Sequence, residues 1–291
     1  MLRIGYIGLG IMGRPCALNI LKAGFPLGVW ARREAAVRPL IAAHAKHYVS
    51  VAELVKQVDV LITNLSTGSD VKSILLGQNG ALHAAHPGLI CIDMSTISPA
   101  DAREIAATLA KNNIEFLDCP VSGGEGGAID ATLTIMVGGK EAVIAKVHPV
   151  LAAMGSTITY MGEAGAGQVA KACNQIAVGV GITLVAELMK FALANKVDPA
   201  PVRRALLGGS AASRVLDLYG QRIIDGNDAP GFKTRLLNKD LDIVLAAAHE
   251  LGLSLPQTEY AAKRVQQCVD NNSGDLDASA IARLIISEQA S

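Results

Sequence analysis

The chain has 291 residues, in which 26 Lys+Arg balance 26 Asp+Glu, and 51% of the residues are hydrophobic. This size and hydrophobicity exclude a disordered chain or a small disulfide-stapled peptide and leave room for about two domains. The zero net charge argues against a dedicated nucleic-acid-binding protein. An aromatic content of only 3% argues against base stacking with single strands. We therefore expect no nucleic-acid partner.

In the first half of the chain, short β-branched runs alternate with amphipathic stretches. This alternation is typical of parallel β-α-β units and predicts an α/β fold with a doubly wound parallel sheet. The predicted strands are residues 3–8, 27–31, 58–64, 89–93, 115–118 and 132–138. Helices predicted between them include residues 13–23 and 100–112, the latter opened by a Ser-Pro cap.

After about Gly162 the strand pattern stops and helical periodicity continues almost to the end. The predicted helices are residues 167–195, 199–207, 237–251, 256–270 and 278–288. The sequence thus predicts a Rossmann domain over residues 1–162 and an all-α domain over residues 163–291, with ligands in the crevice between them.

Several patterns bear on location and metals. The N-terminus lacks the profile of a secretory signal, and the apolar run at residues 176–186 is too short for a membrane span. The five scattered cysteines predict reduced core thiols, and two histidine pairs, at 44/47 and 83/86, have no third ligand. We expect a cytoplasmic protein with no membrane partner and no metal.

The first strand leads into a glycine-rich loop with the pattern G-x-G-x-x-G. Its residues are Gly8, Leu9, Gly10, Ile11, Met12 and Gly13. The three glycines permit a tight turn, close approach to a pyrophosphate and close helix packing, while the following helix offers free N–H donors. Alone the pattern also fits an ordinary turn, but its position after the first strand predicts dinucleotide binding.

The end of the second predicted strand indicates which dinucleotide is bound. An NAD enzyme usually has a carboxylate there for the ribose 2′-hydroxyl, but this chain has Arg32 and Arg33. Two guanidinium groups suit a 2′-phosphate, so we expect NADP, with NAD possible as an alternative. The competing interpretation is that both arginines are solvated loop residues.

A second glycine-rich loop follows the strand at residues 115–118 and contains Ser122, Gly123 and Gly124. Exposed backbone N–H groups and a serine hydroxyl can bind a carboxylate or a phosphate. A plain flexible connection is equally compatible with the pattern, but the loop lies at the carboxyl end of a strand, where open α/β sheets bind ligands.

The helix after the predicted boundary carries Lys171, with Gln168, Asn174 and Gln175 on the same face. Burying a lysine without a partner or a function costs several kcal/mol, and burial lowers its pKa toward the range of a general acid/base. The alternative is that these turns are simply exposed to solvent.

Four motifs in order make the chain resemble the β-hydroxyacid dehydrogenases over essentially its full length. They lie at residues 5–13, 118–124, 165–174 and 238–241. The resemblance implies a Rossmann domain followed by an all-helical domain for substrate binding and oligomerisation, joined into homodimers or homotetramers. It also implies a small carboxylate-bearing aldehyde or hydroxy acid as substrate.

By this resemblance, Lys171 and Asn174 are the catalytic residues, and Ser122, Gly123 and Gly124 bind the substrate carboxylate. Lys239 is expected to reach both substrate and nicotinamide. Cofactor contacts are further expected from Leu65, Ser66 and Thr96, and the family often has proline at the position of Ser66.

Within the family, residues 123–139 are most similar to the tartronate semialdehyde reductases. This predicts NADPH-dependent reduction of a short semialdehyde acid. Oxidation of 3-hydroxyisobutyrate and reduction of succinic semialdehyde or glyoxylate stay open as alternatives. A different class, a catalytically silent dinucleotide-binding sensor, is disfavoured because it has no need of a lysine on a buried helix.

Overall fold

The computed structural model describes residues 1–287. The chain folds into two compact units, the first spanning Met1–Lys171 and the second beginning at Ala172. The boundary predicted at residues 162/163 stays a prediction. The last residue of the predicted helix 278–288 lies outside the described residues.

Within the described residues, the first unit contains a nine-stranded sheet in the order β3-β2-β1-β4-β5-β6-β8-β7, with β9 paired to β8. The strands are β1 Ile4–Ile7, β2 Leu27–Trp30, β3 Lys46–His47, β4 Val60–Thr63, β5 Ile90–Asp93, β6 Glu115–Asp118, β7 Val121–Ser122, β8 Leu133–Gly138 and β9 Gly155–Gly162. The chain order reverses between β1 and β4, which is the switch point of a doubly wound fold. The predicted Rossmann architecture is confirmed.

The sheet departs from the prediction at both edges. β8 pairs antiparallel with β6 and β7 and parallel with β9, so the sheet is predominantly rather than wholly parallel. The predicted set does not include β3, β7 or β9. Most side chains of β9 are exposed, so it lacks the apolar run that predicts a buried strand.

Helices cover both faces of this sheet. They are α1 Gly13–Lys22, α2 Arg38–Ala42, α3 Val51–Val55, α4 Gly68–Leu76, α5 Pro99–Ala110, α6 Gly124–Ile129 and α7 Glu141–Ala152. Neighbouring residues of one strand enter different cores: Ile62 packs in the cluster that includes α1 and α7, and Leu61 in the cluster that includes α3 and α5. This is the period-two alternation of a strand buried on both faces.

In the part of the chain that the structure describes, every α or β element after the long helix α8, Ala166–Ala194, is a helix. These are α9 Pro199–Leu207, α10 Arg214–Asp225, α11 Thr234–Glu250, α12 Pro256–Cys268 and α13 Ile281–Ser287. The all-helical prediction is confirmed, although it does not include α10. The core of the second unit centres on Leu237, Leu241 and Val265.

One prediction about the cysteines is wrong, and the expectation of no membrane partner stays a prediction. By length and composition alone α8 is long and apolar enough to cross a membrane, although the run at residues 176–186 is too short to do so. The core helix of a water-soluble protein passes the same test, so α8 is weak evidence for a membrane. Cys173 is exposed rather than in the core, while the other four cysteines are buried.

Candidate active site

The glycine-rich loop joins β1 to α1, and two of its glycines are required by packing. Gly8 has a φ of +102°, and a Cβ there would overlap the carbonyl oxygen of Asn64. A Cβ on Gly13 would overlap the carbonyl oxygen of Gly8. A Cβ on Gly10, by contrast, would meet no atom within 4 Å. The backbone at Gly10 is therefore open beside the first turn of α1, as a bound pyrophosphate requires.

Within this loop, Leu9 is buried at 5% exposure and Ile11 is exposed at 48%. Met12 is the N-cap residue of α1 and contributes no side-chain cap. No side-chain cap from Met12 therefore competes with a ligand at this end of the helix, so the loop and the helix end fit the diphosphate of a dinucleotide.

Arg32 and Arg33 follow β2, and both have solvent-accessible side chains. Arg32 Nη2 lies 3.0 Å from Asp70 Oδ1, with 72% of the arginine side chain exposed. Arg32 and Asp70 line a cleft of about 400 Å³, together with Trp30 and Ser73. The cleft begins where β2 ends, so it fits the adenosine part of a dinucleotide.

Asp93, at the end of β5, is fully buried. Its Oδ1 accepts hydrogen bonds from Thr63 Oγ1 at 2.7 Å and Ser95 Oγ at 2.6 Å. Ser95 Oγ in turn accepts from the backbone N–H of Leu65 at 2.8 Å. Burial raises the pKa of Asp93 from 3.8 to about 6, although the two hydroxyl donors oppose this. This network joins the loop after β4, which carries Leu65 and Ser66, to the loop after β5.

Gln168, in the first turn of α8, fixes the loop after β5 from the other side. Its Nε2 donates to the carbonyl of Ser95 at 2.9 Å, and its Oε1 accepts from the N–H of Ile97 at 3.1 Å. Thr96 is held between these two anchor points. Lys171 lies one turn further along α8 and is 8% exposed, so the lysine is buried, as predicted, on the helix face that Gln168 shares.

Asp118 connects the start of α8 to the second glycine-rich loop. Its Oδ1 accepts from the N–H of Gly165 at 2.7 Å and its Oδ2 from the N–H of Gln168 at 2.9 Å. Burial raises the pKa of Asp118, while these backbone donors act in the opposite direction. Gly123 and Gly124, with φ of +139° and +64°, give the loop after Ser122 a shape that other residues rarely adopt.

In the second unit, Asn174 and Lys239 are joined by two buried side chains. Asn174 Nδ2 donates to Gln175 Oε1 at 2.7 Å, and Gln175 Nε2 donates to Asp240 Oδ2 at 2.5 Å. Lys239 Nζ lies 3.0 Å from Asp240 Oδ1. Gln175 and Asp240 are 2% and 4% exposed, so they fix both predicted site residues to the core of the unit.

The structure thus gathers the predicted residues into two groups. In the first unit, the loops after β1, β2, β4, β5 and β6 all lie at the carboxyl edge of the sheet. In the second unit, Asn174 and Lys239 share one network. Sequence reasoning missed the supporting residues Asp70, Asp93, Ser95 and Asp240. The described residues contain no cluster of three or more His, Cys, Asp or Glu that could hold a metal.

Comparisons with known proteins agree with this arrangement. A family model described as the NAD binding domain of 6-phosphogluconate dehydrogenase matches residues 3–162. A second, described as NAD-binding of NADP-dependent 3-hydroxyisobutyrate dehydrogenase, matches residues 165–285. Together with the fold and the glycine-rich loop at residues 8–13, these two family models define a nicotinamide-dinucleotide-dependent oxidoreductase.

Similarity to individual enzymes identifies the family to which the chain belongs. It is 38% identical to 2-hydroxy-3-oxopropionate reductase of Escherichia coli (strain K12), covering 98% of this chain and 97% of that protein. It is 36% identical to 3-hydroxyisobutyrate dehydrogenase of Pseudomonas aeruginosa, over 98% of each chain. The solved structure of Mycobacterium tuberculosis 3-hydroxyisobutyrate dehydrogenase with L-serine superposes with a TM-score of 0.91 at 32% identity, covering 98% of this chain and 99% of that one. The chain belongs to the β-hydroxyacid dehydrogenase family.

Proposed function

We propose that the protein is an NADPH-dependent reductase of a short semialdehyde acid, of the type that converts tartronate semialdehyde to glycerate. The observation that carries this proposal is the position of buried Lys171. Lys171 follows the first turn of α8, in which Gln168 donates its backbone N–H to Asp118 and its side-chain amide to the loop after β5. The 38% identity to the E. coli reductase, over nearly the full chain, supports the choice of substrate.

The chain's own groups are suited to hold the cofactor. The open backbone at Gly10 and the first turn of α1 would bind the pyrophosphate, and Arg32 and Arg33 would bind the 2′-phosphate. Leu65, Ser66 and Thr96 would contact the cofactor, with Thr96 beside the nicotinamide. Bound NADPH supplies the hydride that reduces the aldehyde carbon.

The remaining residues position the substrate and move the proton. Ser122 and the backbone N–H groups of Gly123 and Gly124 bind the substrate carboxylate, which restricts the orientation of the aldehyde. Lys171 donates a proton to the oxygen as negative charge develops there. Asn174, fixed through Gln175, orients that oxygen, and Lys239 adds positive charge.

A second candidate uses the same site for a different acid. Full-length similarity to the P. aeruginosa enzyme at 36% identity favours oxidation of 3-hydroxyisobutyrate by the same residues. Reduction of succinic semialdehyde or glyoxylate differs in the length of the acid and in the absence of the substituent between aldehyde and carboxylate. A silent dinucleotide sensor is disfavoured by the full-length similarity to these two enzymes.

The test is an absorbance assay of NADPH oxidation with a panel of acids: tartronate semialdehyde, the semialdehyde of 3-hydroxyisobutyrate, succinic semialdehyde and glyoxylate. We expect the largest kcat/KM with tartronate semialdehyde. A larger value for another member of the panel would assign the enzyme to that acid. NADPH binding without turnover across the panel would support the sensor and overturn the proposal.

We further propose that the protein is cytoplasmic and forms homodimers or homotetramers. Fractionation of the native cell and sedimentation of the purified protein are the direct measurements.

A further inference from the structure

We propose that Asp70 is a specificity-determining residue that weakens the preference of this enzyme for NADPH over NADH. The inference rests on the proposed function, because it concerns the same cofactor site. Asp70 lies in the first turn of α4, and its Oδ1 is 3.0 Å from Arg32 Nη2. The guanidinium expected to bind the 2′-phosphate is therefore already paired with a carboxylate.

The fold itself holds this carboxylate in place. Thr67 Oγ1 accepts a hydrogen bond from the backbone N–H of Asp70 at 3.1 Å and donates one to Asp70 Oδ2 at 2.8 Å. The other oxygen, Oδ1, is directed to Arg32. Asp70 is also the less exposed partner, with 26% of its side chain exposed against 72% for Arg32. Arg32 can therefore turn toward a ligand, whereas Asp70 keeps its position.

Both side chains line the same cleft of about 400 Å³. A 2′-phosphate bonded to Arg32 in its observed position, where Nη2 is 3.0 Å from Asp70 Oδ1, would lie close to that carboxylate, and two anions so close repel each other. An unphosphorylated ribose avoids this cost, because its 2′-hydroxyl can donate a hydrogen bond to the carboxylate. Arg32 favours NADPH and Asp70 favours NADH, so the two residues offset each other.

The experiment measures binding rather than turnover. The dissociation constants of 2′,5′-ADP and 5′-AMP are determined by calorimetry for the wild-type protein and for Asp70→Asn. Asparagine keeps an oxygen for Thr67 and removes the charge. We expect 2′,5′-ADP to bind about tenfold tighter to the variant, as the loss of one nearby like charge implies, with 5′-AMP unchanged or weaker.

Glu104→Gln is the matched control. It makes the same change in net charge, and Lys72, which contacts Glu104, retains its ion pair with Asp101. This variant should leave both dissociation constants unchanged. Equal tightening in the two variants would show a general charge effect and overturn the assignment of Asp70.

Arg32→Gln, made in a background that also carries Arg33→Gln, provides an independent test if Asp70→Asn does not fold. With Asp70 retained and its cation removed, 2′,5′-ADP should bind more weakly than 5′-AMP. Binding of 2′,5′-ADP as tight as that of 5′-AMP would overturn the inference. If the wild-type protein oxidises NADPH but Asp70→Asn leaves the ratio of the two dissociation constants unchanged, only the inference fails. If the wild-type protein binds neither nucleotide, the proposed function fails.

Discussion

Lys171 is the residue on which the proposed chemistry depends most. Its side chain is buried, with 8% of the residue exposed, and it is assigned the proton transfer rather than cofactor binding. General acid catalysis contributes about 10²–10⁴-fold to a rate. We expect Lys171→Ala to lower kcat by a factor in that range while leaving the dissociation constant of NADPH nearly unchanged.

Single-turnover kinetics and NADPH fluorescence titration measure these two quantities separately. Lys190→Ala, on the same helix, is the control and should alter neither. Full turnover by Lys171→Ala would remove the lysine from the mechanism.

Asp93 predicts a pH dependence of stability. Burial raises its pKa from 3.8 to about 6. Between these pH values the folded protein holds a proton that the unfolded chain has released, so the contribution of Asp93 to stability falls as pH rises. In Asp93→Asn this contribution no longer titrates, while an amide oxygen can still accept from Thr63 and Ser95.

The free energies of unfolding of the two proteins, measured by denaturant titration at pH 4 and pH 7.5, are the readout. Going from the lower to the higher pH, the variant should gain about 1–3 kcal/mol relative to wild type. An equal change in the two proteins would show that the pKa of Asp93 is not raised in the folded state.

At the scale of elements, the start of α8 depends on Asp118. Its two oxygens accept from the N–H groups of Gly165 and Gln168, and an amide can accept through only one of them. We expect Asp118→Asn to cost about 1–2 kcal/mol, as for a lost helix cap, and to increase hydrogen exchange at residues 165–170.

Asp198→Asn is the matched control for this prediction, since Asp198 caps α9 by accepting from the N–H of Ala200. Its effect should be confined to α9. Unchanged exchange at residues 165–170 in Asp118→Asn would show that α8 does not need this cap.

The elements that sequence can predict are those whose pattern reflects burial. β1, β4 and β5 are wholly buried strands, and α9 is predicted to the residue because Pro199 marks its first turn. β9 escapes prediction because an exposed strand lacks the apolar signal. The antiparallel direction of β8 could not be predicted, since period-two alternation is the same in both directions.

The candidate site could be predicted where motifs encode backbone shape. Gly8 and Gly13 belong to a local pattern, and their packing bears out two of the three functions expected of its glycines. The supporting contacts are not local. Arg32 and Asp70 are 38 residues apart in the chain, and Gln175 and Asp240 are 65 apart. Only the folded topology shows that these side chains meet.

On the scale of the whole molecule, 26 Lys and Arg residues balance 26 Asp and Glu residues. Opposite charges are also paired at individual positions of the candidate site. Arg32 is offset by Asp70 and Lys239 by Asp240. A neutral average therefore does not mean that charge is absent from the residues that we propose to bind ligands. A phosphate or carboxylate bound there would meet a cation that already has a partner.

Oligomerisation can be tested on the exposed apolar face of α8. Leu184 and Phe191, seven residues apart and so on one side of the helix, are 54% and 74% exposed. We expect the protein to sediment as a dimer or tetramer and Phe191→Ser to shift it toward the monomer. Leu251→Ser, which changes an apolar residue that is 73% exposed just after α11, should not. A monomeric wild-type protein would contradict this expectation.

The six residues of the glycine-rich loop at residues 8–13 are under two kinds of evolutionary constraint. Gly8 and Gly13 are required by neighbouring backbone, whereas Gly10 has open space around it. In a lineage that had abandoned its dinucleotide, the first and last glycines would persist because the chain must still fold. Only the middle glycine would be released to vary, so its identity in a descendant records whether the ligand is still in use.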